Sequence, residues 1–343
     1  MAEAQKQETF CEEVRAGKRQ EFIATTKWAD AKFEPLAQDV SVRTFFRLEK
    51  DGKKAILMDA RPPLEDVSMF EFMRNKFDKI GLHVPEVYNI DTKNGFVIME
   101  DFGDTRCSHL VTEKKEDLNK LYSLFVDVLV HKFNADPKVA LEGSVAYSDE
   151  YWLFRVEQFL LHYMPQVLKR EVTEEQPEEF LNIFKELLAK SHKFDDVLLH
   201  GDYGVQNLYY FPEEQGVKSI GLIDFQDMTD ARGNMMGSPA FDLVFLLQDV
   251  RVAIDPKLEE LMLEKFIKDT NITDVEAFTS EYSVIGTAQA VKCLGLFARL
   301  GYVDGREEYL KFIPNCMRNL RQNLSHPDLK GIKDWFTKNK IEY

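Results

Sequence analysis

The stretch VLLHGDYGVQNLYYFPEEQGVKSIGLIDFQD, residues 197–227, decides how the rest of this chain is read. It contains two apolar runs, and each ends at an acid. Asp202 lies in a tight His200-Gly201-Asp202 turn with Asn207 five residues on, and Asp224 closes Ile220-Gly221-Leu222-Ile223 ahead of Phe225. The 17 residues from Asn207 to Asp224 suit a hairpin: a strand over 207–211, a polar turn over 212–216 and a return strand over 218–224. Such a hairpin brings Asp224 back beside Asn207. An amide and a carboxylate placed together offer the hard oxygens that Mg²⁺ takes. An acid in the adjoining turn can orient a hydroxyl and accept its proton. A lone Asp in a turn is usually a cap or turn former. Here His, Gly, Asp, Asn and a second Asp fall in order at strand boundaries, and that joint pattern argues for chemistry.

Composition bounds the alternatives. The chain has 343 residues, of which 44% are hydrophobic, enough to bury a sizeable core in two lobes. No apolar run approaches the roughly 20 residues of a membrane span, so no membrane partner is expected. Residues 1–19 are charged and lack an apolar signal core, which implies no export. Cys11, Cys107, Cys293 and Cys316 form no CxxC pair and read as free thiols of a reducing cytoplasm, without a zinc site. The formal charge of −15 disfavours a nucleic-acid partner, which requires a basic face.

Outward from the central stretch, the patterning divides the chain into an N-terminal lobe, residues 1–104, and a C-terminal lobe, residues 105–343. In the first, a helix within 8–25 precedes strand-like runs at 33–36, 43–50, 54–60, 86–90 and 96–100. Asp51-Gly52 is a two-residue hairpin signal. Val67, Phe70, Met73 and Phe77 share one face of a helix over 65–79, the one helix expected against the sheet. In the second lobe, helices are expected over 115–133, 150–163, 177–193, 239–250, 257–268, 275–300, 305–323 and 328–339, around the one strand-rich island. Asp101-Phe102-Gly103-Asp104 is the candidate link. The result is an α+β, protein-kinase-like two-lobed order: a small antiparallel-sheet N-lobe and a larger, mostly helical C-lobe. In the kinase template the catalytic-loop Asp takes the hydroxyl proton, while the loop Asn and a later Asp hold the metal. That assigns Asp202 as catalytic and Asn207 and Asp224 as Mg²⁺ ligands, with ATP as the donor. His200 occupies a position that packs beneath the metal-binding loop and carries no proton-transfer role.

LLHGDYGVQNL, GLIDFQD and SPAFDLVFLLQDVR together resemble the aminoglycoside phosphotransferase/choline kinase superfamily. Within it, PLAQDVSVRTFFRLEKDGKKAILMDARPPLED and GFVIMEDFGD are similar to the bacterial anomeric kinases of N-acetylmuramate and N-acetylglucosamine, which act in cell-wall sugar recycling. The likeness runs from about Trp28 to Arg251. It implies an ATP-dependent kinase acting on a small-molecule acceptor, an amino sugar, at its anomeric hydroxyl. It also implies that Asp242 holds the catalytic-loop backbone and that adenine bonds the link backbone near Glu100 and Phe102.

The chain departs from the general pattern in three places. Met58 stands where the kinase strand normally carries a phosphate-pairing Lys, as it does in the similar subgroup. Arg43 and Arg47 are the replacement candidates, or else exposed strand residues. The segment Ala37-Gln38-Asp39-Val40-Ser41 lacks the expected Gly, leaving Ser41 as a phosphate donor or the segment as an ordinary turn. Residues 228–237 read as a loop leading to a helix capped at Ser238-Pro239. On the acceptor side, Arg155 and Glu157 in EYWLFRVEQFLLHYM are substrate candidates, against the alternative of ordinary helix packing for that stripe. Tyr151, Trp152 and Tyr163 resemble a cage for the ammonium of choline or ethanolamine. An aminoglycoside kinase and a nucleotide-binding pseudokinase are the other readings.

Overall fold

The structure is a computed structural model that describes all residues except Met1, 37–42, 114–115, 191, 227–228 and 231–232. Ser41, Asp227 and Arg232 therefore lie outside the described residues.

Helix α1 (Ala2–Ala24) precedes strands β1 (Lys32–Pro35), β2 (Thr44–Lys50) and β3 (Lys53–Asp59), helix α2 (Val67–Lys79), and strands β4 (Val87–Asp91) and β5 (Phe96–Glu100). The strands make one antiparallel sheet in the order β1-β2-β3-β5-β4. Asp51 and Gly52 join β2 to β3 with φ of 52° and 73°. Two positive φ values in a two-residue turn match the twist of the strands they connect.

Strand alternation sends the side chains of β5 to opposite faces. Phe96 and Ile98 join Phe46, Leu48, Ala55 and Leu57 in a cluster with Ile23 of α1 and with Trp28. Val97, Met99 and Met58 face α2, whose Val67, Phe70, Met73 and Phe77 are all buried. The sheet thus carries a helix on each face, where the sequence led us to expect one. Polar residues mask the docking of α1. Arg15 and Arg19 pair with buried Asp59 at 2.6 and 3.2 Å. Their guanidinium groups lie over the rings of Phe96 and Phe46 at 4.0 and 4.3 Å.

The chain continues through α3 (Cys107–Thr112), α4 (Leu118–Phe133), α5 (Pro137–Ala140), β6 (Val145–Ala146) and α6 (Asp149–Gln158), which runs on as a π-helix over Phe159–Val167. Next come α7 (Gln176–Ala189), β7 (Val197–Leu198), β8 (Leu208–Tyr210), β9 (Ile220–Leu222), β10 (Thr229–Asp230) and β11 (Gly233–Gly237). The last helices are α8 (Ala240–Leu247), α9 (Pro256–Asp269), α10 (Val275–Tyr302), α11 (Ile313–Asn323) and α12 (Lys330–Lys338). No helix of the described residues is long and apolar enough to cross a membrane.

Two expectations change. The helix expected over 150–163 widens after Gln158, and its wide turns carry Pro165, which has no N–H to donate to a regular ladder. The expected loop before Ser238 contains β11, which pairs antiparallel with β7 and β10 and parallel with β6. The partners of β11 come from distant segments, so its short Gly- and Met-rich sequence carries no strand period of its own. Its pairing fixes β7, the strand that leads into His200.

Candidate active site

The hairpin expected from the central stretch forms. Leu208 to Tyr210 pair antiparallel with Leu222 to Ile220, and the Ile223 N–H donates to the Asn207 carbonyl at 3.1 Å. Asn207 is therefore bonded across the hairpin to the residue just before Asp224. Asp202 lies on the same side, because Asn207 Nδ2 donates to both the Asp202 carbonyl and Asp202 Oδ2 at 2.9 Å. Asp224 is held with φ of 61°, a left-handed conformation that costs a non-glycine residue of order 1 kcal/mol or more and is kept where surrounding contacts enforce it. One such contact is Phe225, whose buried ring stacks on Phe70 at 5.5 Å and touches Phe77 at 5.4 Å. Through Phe225, α2 sets the position of Asp224.

Of the two candidates for the place of the strand lysine, Arg43 is the one that reaches Asp224. Met58 is buried toward α2, and Arg43, at the head of β2, reaches across instead. Its Nη1 donates to Asp224 Oδ1 at 2.9 Å, and its Nε lies 3.3 Å from Glu65 Oε2, just before the Asp66 cap of α2. Sequence spacing gave no reason to pair Glu65 with anything. Arg47, the other candidate, is engaged elsewhere: its Nε lies 2.6 Å from Asp101 and its Nη1 3.1 Å from Asp104, tying β2 to the link. At the link itself, the Glu100 N–H donates to the Glu86 carbonyl at 2.8 Å. The Phe102 ring is buried against His83, Tyr209 and Phe211.

The loop that carries Asp202 hangs from a buried anchor. Asp242, in the first turn of α8, accepts the N–H groups of His200 and Gly201 at 2.8 and 2.9 Å and is ion-paired with Lys132 of α4. Burial pushes this carboxyl up, but the Lys132 ammonium, aided by His200 and its N–H, outweighs it and holds its pKa below the usual range. Lys132 escaped the sequence reading. The signal was its phase: with Leu121, Phe125 and Val128 it shares the buried stripe of α4. Burial lowers the pKa of His200, so the ring is neutral. Its Nδ1 accepts from the Asp202 N–H at 3.3 Å, which leaves the proton on Nε2.

Beyond Asp202 lies a second polar group. With its amide oriented to satisfy its neighbours, Gln206 donates to Asp249 Oδ2 and accepts from Arg251 Nη1, both at 3.1 Å. Burial raises the Asp249 carboxyl to about 6, against the Arg251 N–H and charge and with the negative charge of Asp202 adding to the rise. The folded protein then holds more protons than the unfolded chain between about pH 4 and 6, so stability falls as pH rises through that window. Asp249→Asn removes this cost. Its stability relative to the parent should improve by about 3 kcal/mol from pH 4 to pH 8; a gap that does not widen in paired urea melts would contradict the burial cost.

Arg155 and Glu157 lie two apart on α6, a spacing that sends them to different faces. Arg155 lies over the Tyr151 ring at 3.9 Å, and among the described residues no contact carries Glu157 toward Asp202. Trp152 and Tyr163 are buried, packed on Phe241 and Phe159. These rings form core rather than a cage for an ammonium ion.

Among the described residues no cluster of three His, Cys, Asp or Glu forms an all-protein metal site. Mg²⁺ held by one or two protein oxygens plus phosphates needs none, and an amide and a carboxylate on adjoining hairpin arms fit that requirement.

A five-stranded sheet capped by α2, with an acid-bearing turn and hairpin on the helical side, is the layout of a small-molecule phosphotransferase. A model of the phosphotransferase enzyme family matches residues 32–273, and the chain belongs to that family. It is similar to an N-acetylmuramate/N-acetylglucosamine kinase of Caulobacter vibrioides, 26% identical and covering 92% of this chain and 94% of that one. Its fold is that of a choline/ethanolamine kinase family protein of Mesorhizobium loti (TM-score 0.60, 10% identity, 92% of this chain and 97% of the other). It also matches an ADP-bound aminoglycoside phosphotransferase, APH(2'')-Ib (TM-score 0.55, 14% identity, 85% and 94% covered).

Proposed function

We propose that this kinase transfers the γ-phosphoryl group of ATP to the anomeric hydroxyl of an amino sugar, N-acetylmuramate or N-acetylglucosamine, in cell-wall recycling. The observation that carries the reading is the bonded set Asp202, Asn207 and Ile223-Asp224, which brings two acids and an amide to one end of the hairpin. The relatives' printed activity supports the acceptor.

In this reading Asn207 and Asp224 hold Mg²⁺ against the nucleotide phosphates; when bound, Mg·ATP supplies the phosphoryl group and neutralises charge. Asp202 takes the acceptor proton. Its Oδ2 is engaged by Asn207, so Oδ1 is the oxygen that faces the hydroxyl. Arg43 meets the nucleotide phosphates while tying Asp224 to Glu65 at the α2 end, the two tasks a strand lysine performs in other kinases. The Glu100 carbonyl and Phe102 N–H are the link groups for adenine, and Ser41 is a further phosphate donor.

Two nucleotide-binding outcomes follow. Asp224→Ala should abolish Mg²⁺-dependent nucleotide binding. Arg43→Gln should weaken it about tenfold, the worth of one charge-assisted contact. Calorimetric titration with Mg·ATP reads both, and full affinity in Arg43→Gln would reduce Arg43 to a brace. The acceptor is tested by turnover with N-acetylmuramate, N-acetylglucosamine, kanamycin and choline, with phosphorus NMR locating the product phosphate. Transfer to choline or kanamycin alone would overturn the amino-sugar assignment.

A further inference from the structure

Arg155 and Lys292 lie near the crossing of α6 and α10, within electrostatic reach of each other, and Lys292 within reach of Asp202. Helix α10 crosses the C-terminal end of α6 at Gly295, where an added Cβ would lie 2.3 Å from the Gln158 main chain. Only glycine permits that approach. Lys292 lies one turn before Gly295 on α10, and Arg155 one turn before Gln158 on α6. The Lys292 ammonium lies over the Phe245 ring at 5.1 Å and donates to Gln289 at 3.2 Å. The Arg155 guanidinium rests on Tyr151. Among the described residues neither makes a salt bridge, in a chain with 59 acidic and 44 basic residues. Burial holds Lys292 below the usual lysine range; Arg155 and Arg251 push the same way, and Asp202 opposes them. Arg251 is itself joined to the catalytic loop through Gln206.

Neighbouring cations that repel one another at a site edge are stabilised by an anion placed between them. The Mg·ATP phosphates belong to the Asn207–Asp224 hairpin, so this anion belongs to the acceptor. We propose that Arg155 and Lys292, with Arg251 behind them, form a subsite for a carboxylate carried by the sugar, and that the chain prefers a carboxylated amino sugar over its neutral counterpart. This rests on the amino-sugar reading above.

N-acetylmuramate and N-acetylglucosamine make the comparison, since the first carries a carboxylate and the second does not. The ratio of their kcat/KM values should fall about tenfold or more in Arg155→Gln and in Lys292→Met, the loss of a charge-assisted contact. An unchanged ratio in both variants overturns the subsite. Arg155 is only half-buried, so its variant still reports if Lys292→Met does not fold. Calorimetric binding of each sugar without nucleotide separates the two readings. If the parent phosphorylates neither sugar, the proposed function fails. The subsite then stands only if N-acetylmuramate binds more tightly than N-acetylglucosamine and loses that advantage in Arg155→Gln.

Discussion

Asp202→Asn is expected to lower turnover by about 10²-fold or more, the usual worth of a positioned general base, while nucleotide affinity stays at the parental value. The substitution separates chemistry from scaffolding. An Asn side-chain oxygen can still accept the Asn207 amide that Asp202 Oδ2 accepts at 2.9 Å, so the loop keeps its shape. What disappears is the anionic oxygen proposed to take the hydroxyl proton. Steady-state turnover together with Mg·ATP titration checks both halves. Parental turnover in this variant would defeat the assignment of Asp202, and lost nucleotide binding would show that the loop had moved.

Asp242→Ala is expected to be the most destabilising single change among those considered, at about 3–5 kcal/mol. It strands the Lys132 ammonium in the interior and leaves the His200 and Gly201 N–H groups without their acceptor. The pair as a whole is worth less than its breakage costs, because both charges were taken out of water to form it. Adding Lys132→Met to Asp242→Ala should therefore recover part of the lost stability. The pH dependence has a definite sign. A carboxyl held below its unfolded value contributes fully above about pH 4 and loses its contribution as pH falls through the folded value. Urea melts at pH 6 and 8 should therefore give the same loss, with a smaller one only in acid. No recovery in the double variant would show that the buried charge is not the source of the cost.

Much of this site is legible in the sequence. The spacing of Asp202, Asn207 and Asp224, the turn at Asp51-Gly52 and the face of Val67, Phe70, Met73 and Phe77 are local patterns. Within such a span, hairpin geometry or helical period leaves few alternatives. The pairs that hold the site together are of another kind. Lys132 and Asp242 are 110 positions apart and Arg43 and Asp224 are 181 apart, and no period links them. Each reads as a single charge whose partner is set by which elements pack together.

The docking of α1 was hidden for a related reason. Arg15 and Arg19 look like surface residues of a charged helix, and they become interior only because Asp59 and two aromatic faces receive them. Residue order alone settled the hairpin and the class of fold, since both depend on short-range geometry and on side chains strung at fixed intervals. Packing selected the cation beside Asp224, the anchor beneath His200 and the pair of basic residues at the crossing of α6 and α10. A charge acquires its role from what surrounds it once water is gone, and those surroundings are assembled from distant parts of the chain.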